Sequence, residues 1–412
     1  MSKTPIIYYT DCFIFGGCEK PVYEVITSGR FREKYDCKIF YRKSSEYCDG
    51  LCKTFPGIDK ELMKGFRFPD QTTGSYFIRR LAGDGRLSRS LNFVHRVLLR
   101  LAQAFIFTYE VIVLAAAFAL EKASVVHINN GGYPGALSCR AAAVAAKLAG
   151  KKHVVLSVHN TAADIHGLTE GLIDKLVRPC VDVVITGSKA SLNVLAAKRG
   201  FDKNKMINIY HGIETSGEQR PEGNLSSGFP RGFACMIARF EERKGHIHVV
   251  SAWEKMLKEN PENKGIKLVL IGAGPELRKI KGIVLEKGLS DDILFLGHRN
   301  DYKTYLMSSR FLLNPSLGFE DLPYVILEAM SLGIPAIGTN IAGIPEEIAD
   351  GITGIVIPAG DEAALKDAII KLLADEGTTR QMGQAAKTRY LEMFTIDKMI
   401  GNYISFYDKL IK

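Results

Sequence analysis

Short apolar segments alternate with helical segments along the chain, and the alternation occurs twice. In the first half, strand patterns such as PIIYYT, CKIFYRK, SVVHINN, HVVLSVHN and DVVITGS are separated by helical ones such as GALSCRAAAVAAKLAG. The second half continues with GFACMIARF, IKLVLIGAG, ILFLG, RFLLNPS, PAIGT and GIVIP. Continuous apolar strands separated by helices are typical of parallel sheets that are covered on both faces. The sequence therefore predicts an α/β protein with two doubly wound Rossmann-like domains.

A segment rich in Gly, Ser, Pro and charge, TSGEQRPEGNLSSGFPRG, interrupts the alternation at 215–232 and is typical of a linker. We predict an N-terminal domain over 1–216, a linker over 217–231 and a C-terminal domain over 232–394. A last amphipathic helix over 395–412 is expected to pack back on the N-terminal domain. Two such domains facing a central cleft would bind ligands where their strands end.

The chain has 412 residues, which suits two domains, and it contains no long low-complexity tract. The first apolar run is short for a signal peptide, and Asp11 follows it at once. The eight cysteines are scattered, and the nearest pair, Cys48 and Cys52, lacks C-x-x-C spacing. We therefore expect a cytoplasmic protein with reduced thiols.

Residues 60–100 contain nine Lys or Arg and three acidic residues, a surplus of six within a net charge of +9. The apolar segment that follows, LAQAFIFTYEVIVLAAAFAL at 101–120, is long enough to span a bilayer. Glu110 at its midpoint would cost roughly 3 kcal/mol there, which favours a buried helix or helix pair. The basic cluster fits either a solvated surface or an anionic membrane, and we retain contact of 60–120 with a membrane as one prediction.

Four candidate sites follow predicted strands. Gly16 and Gly17 precede a helix, where a backbone can approach an anion, although a Gly pair is also an ordinary turn. The loop ARFEERKGH places Arg239 and Lys244 where both could hold one anion, although a solvated basic loop has the same pattern. His159 ends a strand, a position typical of either a structural histidine or a ligand-binding one.

The fourth candidate is the stretch FEDLPYVILEAMSLGIPAIGT at 319–339. Pro323 suits the first turn of a helix, so Glu320 lies in the loop before it and Glu328 lies inside it. Glu328 would be ~8 Å along the axis from Pro323, and both carboxylates could face one cleft beside the helix N-terminus. A structural pair of glutamates is the alternative that this spacing leaves open.

Taken in order, FGGCE, the strand-end His159, ARFEERKGH, IGAGPE, the E-x7-E pair Glu320 and Glu328, AMSLGIPAIGT and AGIPEEI resemble the retaining glycosyltransferases of family 4, which have the GT-B fold. The resemblance is ordered from 238 to 348, weaker before that, and absent from 60–120. It implies that the C-terminal domain binds a nucleotide-diphosphate sugar and that the N-terminal domain binds the acceptor.

The resemblance also implies roles for individual residues. Arg239 and Lys244 would hold the donor diphosphate and stabilise its charge as the glycosidic bond breaks. Glu320 would contact the sugar, with backbone N–H groups from Asp321 to Pro323, and Glu328 would accept hydrogen bonds from the ribose. His159 would reach the sugar from the other domain. The full set is catalytic Arg239, Lys244, Glu320 and His159, with donor-binding Gly16, Gly17, Gly272, His298, Arg299, Asp321, Leu322, Pro323 and Glu328.

Two positions depart from the family's pattern. Asp321 stands where a glycine commonly follows the first glutamate, and its carboxylate could change the sugar preference or repel phosphate. Ala238 replaces another frequent glycine. Members of the family work without a metal, and the lack of an Asp-x-Asp motif in this chain agrees with that expectation.

We therefore expect a metal-independent, retaining glycosyltransferase of the hexosyl class that uses a UDP- or GDP-sugar and a hydroxyl acceptor. The basic segment suggests a lipid-linked or otherwise anionic acceptor, as in cell-surface polysaccharide or glycolipid synthesis, and a location in the cytoplasm or on the cytoplasmic face of a membrane. A nucleotide-sugar 2-epimerase of the same fold and a non-catalytic nucleotide-sugar-binding protein are the alternatives. No nucleic-acid recognition motif accompanies the positive charge.

Overall fold

The structure, a computed structural model, describes residues 3–68, 78, 81, 86–214, 229, 232–318 and 320–412. The chain divides into two compact units. The first comprises Met1–Gly187, Ser191–Ile209 and Ile400–Lys412, and the second comprises Ser188–Ala190 and Tyr210–Met399. Apart from Phe229, the linker predicted at 217–231 lies outside the described residues.

Each unit contains a parallel sheet with helices between its strands. The described strands are β1 (Thr4–Thr10), β2 (Tyr35–Arg42), β3 (Met63–Phe66), β4 (Val125–Asn130), β5 (His153–Val158), β6 (Val183–Thr186), β7 (Met206–Asn208), β8 (Phe233–Ile237), β9 (Lys267–Ile271), β10 (Ile293–Gly297), β11 (Leu312–Asn314), β12 (Ala336–Thr339) and β13 (Gly354–Ile357). The described helices are α1 (Lys20–Thr27), α2 (Gly29–Arg32), α3 (Ser45–Thr54), α4 (Arg86–Ala119), α5 (Leu137–Leu148), α6 (Leu168–Val177), α7 (Lys189–Arg199), α8 (His246–Glu259), α9 (Leu277–Glu286), α10 (Tyr302–Ser308), α11 (Tyr324–Ser331), α12 (Ile344–Glu347), α13 (Glu362–Ala374), α14 (Glu376–Met393) and α15 (Ile396–Ile411).

The strand order is β3-β2-β1-β4-β5-β6-β7 in the first sheet and β10-β9-β8-β11-β12-β13 in the second. In both, the order reverses at a central strand, as it does in doubly wound folds. The predicted α/β class with two Rossmann-like sheets is therefore confirmed.

Both faces of the second sheet are buried, which explains its continuous apolar strands. Ala234 and Met236 of β8 belong to one core cluster, whereas Phe233 and Cys235 of the same strand belong to another. Because successive side chains in a strand point to opposite faces, each cluster covers one face of the sheet.

The C-terminal helix α15 packs on the first sheet through its aromatic residues. The Tyr407 hydroxyl lies 2.8 Å from that of Tyr8 and also contacts Nδ1 of His127. Nε2 of His127 lies 2.6 Å from the Ser157 hydroxyl. Burial lowers the pKa of His127 to about 3, so this ring is neutral at physiological pH.

Residues 101–119 belong to the single 34-residue helix α4 rather than to a helix pair. Phe107, Leu114 and Phe118 lie in the core of the first unit, but only 33% of the window Ala102–Ala119 is buried. By length and composition this window could cross a membrane. The prediction of a buried helix is correct for one face only, because the opposite face is exposed.

Candidate functional site

The loops after β8 and β9 pack so closely that glycines are required between them. A Cβ on Gly272 would lie 1.9 Å from the carbonyl oxygen of Ala238, and one on Gly274 would lie 2.5 Å from that of Phe240. The Phe240 N–H also donates to the Ala273 carbonyl at 3.1 Å. Gly272, predicted to bind the donor, therefore has a structural reason to be glycine whether or not a ligand binds.

The turn that carries Lys244 is fixed against the loop after β11. Gly245 has a φ of 76°, and a Cβ there would lie 2.2 Å from the Pro315 carbonyl oxygen. The Leu317 N–H donates to the Arg243 carbonyl at 2.7 Å. Arg243 and Lys244 are thus held at the carboxyl end of β8, directly before α8.

Five charged side chains of alternating sign extend from this turn, and we call them the alternating charge series. They are linked in the order Arg239, Glu241, Arg243, Glu320 and Lys244. The Nε atoms of Arg239 and Arg243 lie 2.9 and 2.8 Å from the Glu241 carboxylate. The predicted catalytic residues Arg239, Lys244 and Glu320 are therefore brought together, with Arg239 linked to the others through Glu241 and Arg243.

Glu320 is the most buried member of the series. Its Oε1 accepts hydrogen bonds from Lys244 Nζ, from Arg243 Nη1 at 3.2 Å and from the Ser316 hydroxyl at 3.0 Å. The side chain of Lys244 is 15% exposed, whereas that of Arg239 is 71% exposed. The two predicted phosphate-binding cations thus differ, because Lys244 is fixed by its partner and Arg239 is open to solvent.

The loop between Glu320 and α11 is anchored by its backbone. The Gly343 N–H donates to the Asp321 carbonyl at 2.9 Å, and a Cβ on Gly343 would lie 2.5 Å from that oxygen. Pro323 is the N-cap residue and α11 begins at Tyr324, one residue later than predicted. Our inclusion of Pro323 among the N–H donors is wrong, because proline has no backbone N–H. Asp321 and Leu322 retain theirs.

Glu328 has a partner of its own within α10. Its Oε1 accepts a hydrogen bond from the Tyr302 hydroxyl at 2.8 Å. Glu320 is therefore paired with two cations, whereas Glu328 accepts a hydrogen bond from a neutral hydroxyl.

Arg299 and His298 follow β10 and differ in their contacts. The Arg299 guanidinium binds both carboxylate oxygens of Asp301, at 2.7 and 2.6 Å, and lies 5.0 Å from the Tyr305 ring centre. His298 is exposed. Because the Arg299–Asp301 pair is also exposed, exchanging it for a ligand contact would cost little.

Glu347 is a buried acid that the sequence analysis did not identify. It is fully buried, and neither carboxylate oxygen has a hydrogen-bond partner among the described residues. Burial, followed by the charges of Asp321, Glu320 and Glu346, raises its pKa well above the usual value. A proton on Glu347 would therefore be retained close to the loop that precedes α11.

The neighbouring Glu346 has a structural role. Its carboxylate accepts the N–H groups of Lys189 and Ala190 at 2.9 and 2.8 Å, and the Tyr210 hydroxyl at 2.9 Å. It therefore caps the first turn of α7.

In the first unit, a buried carboxylate joins the glycine loop to His159. Glu19 accepts hydrogen bonds from Thr10 at 2.7 Å, Tyr47 at 2.8 Å and Asn129 Nδ2 at 3.0 Å. Asn129 Oδ1 then faces Nε2 of His159, so that nitrogen carries the proton. Burial raises the pKa of Glu19, although these hydrogen bonds oppose the shift. His159 thus belongs to a connected polar network at the ends of β1, β4 and β5.

Gly16 lies in the exposed loop just before Glu19. A Cβ there would have its nearest neighbour, the Ile14 carbonyl oxygen, at 3.9 Å, which is an ordinary contact. Packing of the fold therefore does not explain this glycine, unlike Gly272. Gly17 is also exposed.

Cys12, Cys18 and Glu19 form a group whose ligand atoms lie within 4.8 Å of one another. The two sulfurs are 3.6 Å apart, and their hydrogen bond, followed by burial, raises the pKa of Cys12 well above the usual value. Because thiolates are the form that binds metals and Glu19 already accepts three hydrogen bonds, we assign no metal to this group.

Several members of these networks were not predicted from the sequence. Arg243 adjoins the predicted Lys244, and Asn129 is the penultimate residue of β4, so proximity to a predicted site residue or to a strand end could have selected them. Tyr302 had no such signal, because it lies 26 residues from Glu328. Ser316 lies only four residues before Glu320 and closely follows β11, so the strand-end rule could have selected it.

Comparison with known proteins supplies a second line of evidence. A family model described as Glycosyltransferase Family 4 matches residues 77–216, and one described as Glycosyl transferases group 1 matches residues 226–389. Together the two matches cover more than half of the chain.

Two curated relatives match part of the chain. The chain is 35% identical over 176 residues to N-acetyl-alpha-D-glucosaminyl L-malate synthase of Bacillus anthracis, and the match covers 43% of this chain and 45% of that protein. The chain is 27% identical over 241 residues to O-antigen chain mannosyltransferase C of Escherichia coli, and the match covers 56% of this chain and 62% of that protein. The chain thus matches about half the length of these relatives.

The fold also resembles that of a solved structure. Anabaena Alr3699/HepE, crystallised in complex with UDP, has a TM-score of 0.76 and 16% identity, covering 98% of this chain and 100% of that one. At this identity the likeness is evidence for the fold alone.

Proposed function

Because the chain belongs to the glycosyltransferases and has the GT-B fold, we propose that it transfers a sugar from a nucleotide-diphosphate sugar to a hydroxyl acceptor. The observation that carries this proposal is the alternating charge series at the carboxyl end of β8. Three cations and two carboxylates give it one net positive charge, and a bound diphosphate would add negative charge.

Lys244 and Arg239 would contribute in different ways. Lys244 is fixed by Glu320 and by the Gly245 turn, so it is preorganised to stabilise charge on a departing diphosphate. A preorganised charge of this kind contributes about 3 kcal/mol to the transition state. Arg239 is exposed and would move from Glu241 to the diphosphate. Breaking its ion pair with Glu241 would cost little free energy, because exposed ion pairs contribute little to stability.

The reaction would retain the configuration of the sugar. The bond between the anomeric carbon and the diphosphate oxygen breaks, and the acceptor oxygen bonds to that carbon from the same face. The acceptor's proton passes to the departing phosphate oxygen. Metal ions are not required in this proposal, because cationic side chains and the N–H groups at the start of α11 stabilise the leaving group.

The remaining predicted residues take supporting roles. Glu328, oriented by Tyr302, would accept hydrogen bonds from the ribose, and Glu320 would contact the sugar. His159, whose Nε2–H is donated to Asn129, would accept a hydrogen bond from a substrate hydroxyl at Nδ1, and Gly16 and Gly17 would leave room for the substrate. The UDP complex of the Anabaena structure supports testing UDP-sugars first.

We place the reaction in cell-surface polysaccharide or glycolipid synthesis in the cytoplasm, with a saccharide or lipid-linked acceptor. The name of the Escherichia coli relative supports this setting.

The test is to incubate the protein with UDP- and GDP-sugars, with and without hydroxyl acceptors and with EDTA, and to identify the products. A glycoside of unchanged anomeric configuration, formed in EDTA, is the expected product. An epimerised donor formed without acceptor would identify a 2-epimerase instead. Donor binding without any product would identify a binding protein.

A further inference from the structure

Helix α4 carries a row of large apolar side chains that face solvent, which we call the α4 stripe. Successive members are separated by three, four or seven residues, so they share one face of the helix. Their exposure ranges from 43% to 82%. The members are Leu87, Leu91, Val94, Leu98, Phe105, Tyr109 and Ile112.

The opposite face of α4 accounts for the packing of the helix. Phe107, Val111, Leu114 and Phe118 lie in the core of the first unit, and α4 packs against α5. The α4 stripe is therefore not needed to hold the helix in place. Single exposed apolar residues are common on protein surfaces, but seven of them in one row form a continuous apolar patch. Such a patch indicates an interaction surface.

The first half of α4 extends beyond the sheet. The Tyr109 ring lies 6.4 Å from that of Phe68, which follows the end of β3. Because a helix that connects parallel strands runs antiparallel to them, residues before Tyr109 lie past the carboxyl edge of the sheet. From Arg86 to Tyr109 this projection is ~35 Å long. The same edge carries His159 and the Gly16 loop.

Positive charge also lies near the α4 stripe. Lys64 and Arg67 are exposed on and after the edge strand β3, and Phe68, the next residue, contacts Tyr109 of the stripe. Arg89 and Arg96 are exposed on the side of α4 opposite to the stripe. In the same layer of helices, α6 exposes three leucines at four-residue spacing, Leu168, Leu172 and Leu176, together with Lys175. Apolar side chains beside exposed cations match a bilayer surface with anionic head groups.

We propose that the α4 stripe docks this protein on an anionic lipid bilayer, with the helix lying in the membrane interface rather than crossing it. A crossing would place in lipid the core face that packs on the sheet, including buried Glu110. The excess of basic residues favours anionic lipid over a second copy of this chain, because two copies would bring like charges together. Docking would bring the acceptor-handling edge close to a lipid-linked acceptor, and only this last step rests on the proposed function.

The test is co-sedimentation of the full chain with vesicles of phosphatidylcholine alone or mixed with phosphatidylglycerol. We expect binding to mixed vesicles, weakening as salt rises, and at least a tenfold loss of partitioning in the double variant L98E/F105E. The matched control is L285E, which changes an equally exposed leucine on α9. K64S/R67S should reduce binding to mixed vesicles selectively, whereas K371S, another exposed cation, should not.

Three results would overturn the proposal. The first is that the wild-type protein binds neither kind of vesicle. The second is that L98E/F105E and L285E lose vesicle binding equally. The third is that sedimentation velocity shows a wild-type dimer that the L98E/F105E substitutions dissociate. UDP affinity, measured in solution on the same variants, should be unchanged. That readout separates failure of docking from failure of the donor site.

Discussion

The Lys244 ammonium is ion-paired with the Glu320 carboxylate, although the two residues lie 76 positions apart in the sequence. Arg243 shares the same carboxylate oxygen at 3.2 Å. The loops after β8 and β11 are therefore joined through charge as well as through the Gly245 turn. In the proposed donor complex, diphosphate and carboxylate would compete for the same two cations.

This competition predicts opposite effects of E320Q on UDP and on turnover. Without the carboxylate charge, Arg243 and Lys244 lose their competing partner, so UDP alone should bind roughly two- to tenfold tighter. Transfer should fall because Glu320 no longer contacts the sugar as an anion. Calorimetric titration with UDP and a transfer assay measure the two effects. Equal weakening of UDP binding and turnover would argue against this arrangement.

Gly16 and Gly272 should respond differently to alanine. G272A requires a left-handed φ of 148° and places a Cβ 1.9 Å from a carbonyl oxygen, so it should destabilise the second unit by more than about 1 kcal/mol. G16A has space for the methyl group and should change stability by less than about 0.5 kcal/mol while lowering transfer. Denaturant unfolding measures the stability of both variants, and a transfer assay measures their activity. A fully active G16A would remove the loop from the proposed site.

Removing the Asn129 amide should disable His159 without affecting the donor site. N129A leaves the buried Glu19 one donor short, at a cost of about 1–3 kcal/mol in stability. We expect at least a tenfold fall in transfer with unchanged UDP affinity. N130A, which alters the adjacent buried asparagine, is the control for lost stability alone. If both variants lose the same activity, the network has only a structural role.

The raised pKa of Glu347 predicts a pH-dependent cost to stability. Between the unfolded and folded pKa values, the folded state retains a proton that the unfolded state has released. Raising the pH in that interval therefore destabilises the fold, by up to about 1.4 kcal/mol per unit. E347Q should remove this dependence of stability on pH. Its stability relative to wild type should therefore increase as the pH rises above the usual glutamate pKa. Urea unfolding at pH 5, 6, 7 and 8 measures it, and an unchanged slope would contradict the prediction.

Glu346 provides the contrast for that experiment. E346Q should lose about 1 kcal/mol at neutral pH, because it weakens the cap on α7, while retaining the slope assigned to Glu347.

The sheets were predictable because strand burial leaves a continuous apolar pattern, and the break at 215–232 separates the two repeats. The start of α11 was misplaced by one residue because proline is compatible with both the N-cap and the first helical position. The exposed face of α4 was missed because its sequence is apolar nearly all round, so composition alone cannot distinguish the buried face from the exposed one. Glu347 and Tyr302 depend on contacts between separate segments of chain, which local patterns do not encode.

The central claim is that Lys244 binds and stabilises a nucleotide diphosphate. Titration of UDP and UDP-sugars into wild type, K244A and K255A tests it most directly, because Lys255 is a paired lysine on the adjacent α8. We predict that K255A binds like wild type, whereas K244A loses at least a hundredfold in affinity, about 2.7 kcal/mol, and loses transfer. Equal binding by wild type and K244A, with transfer intact, would contradict the account.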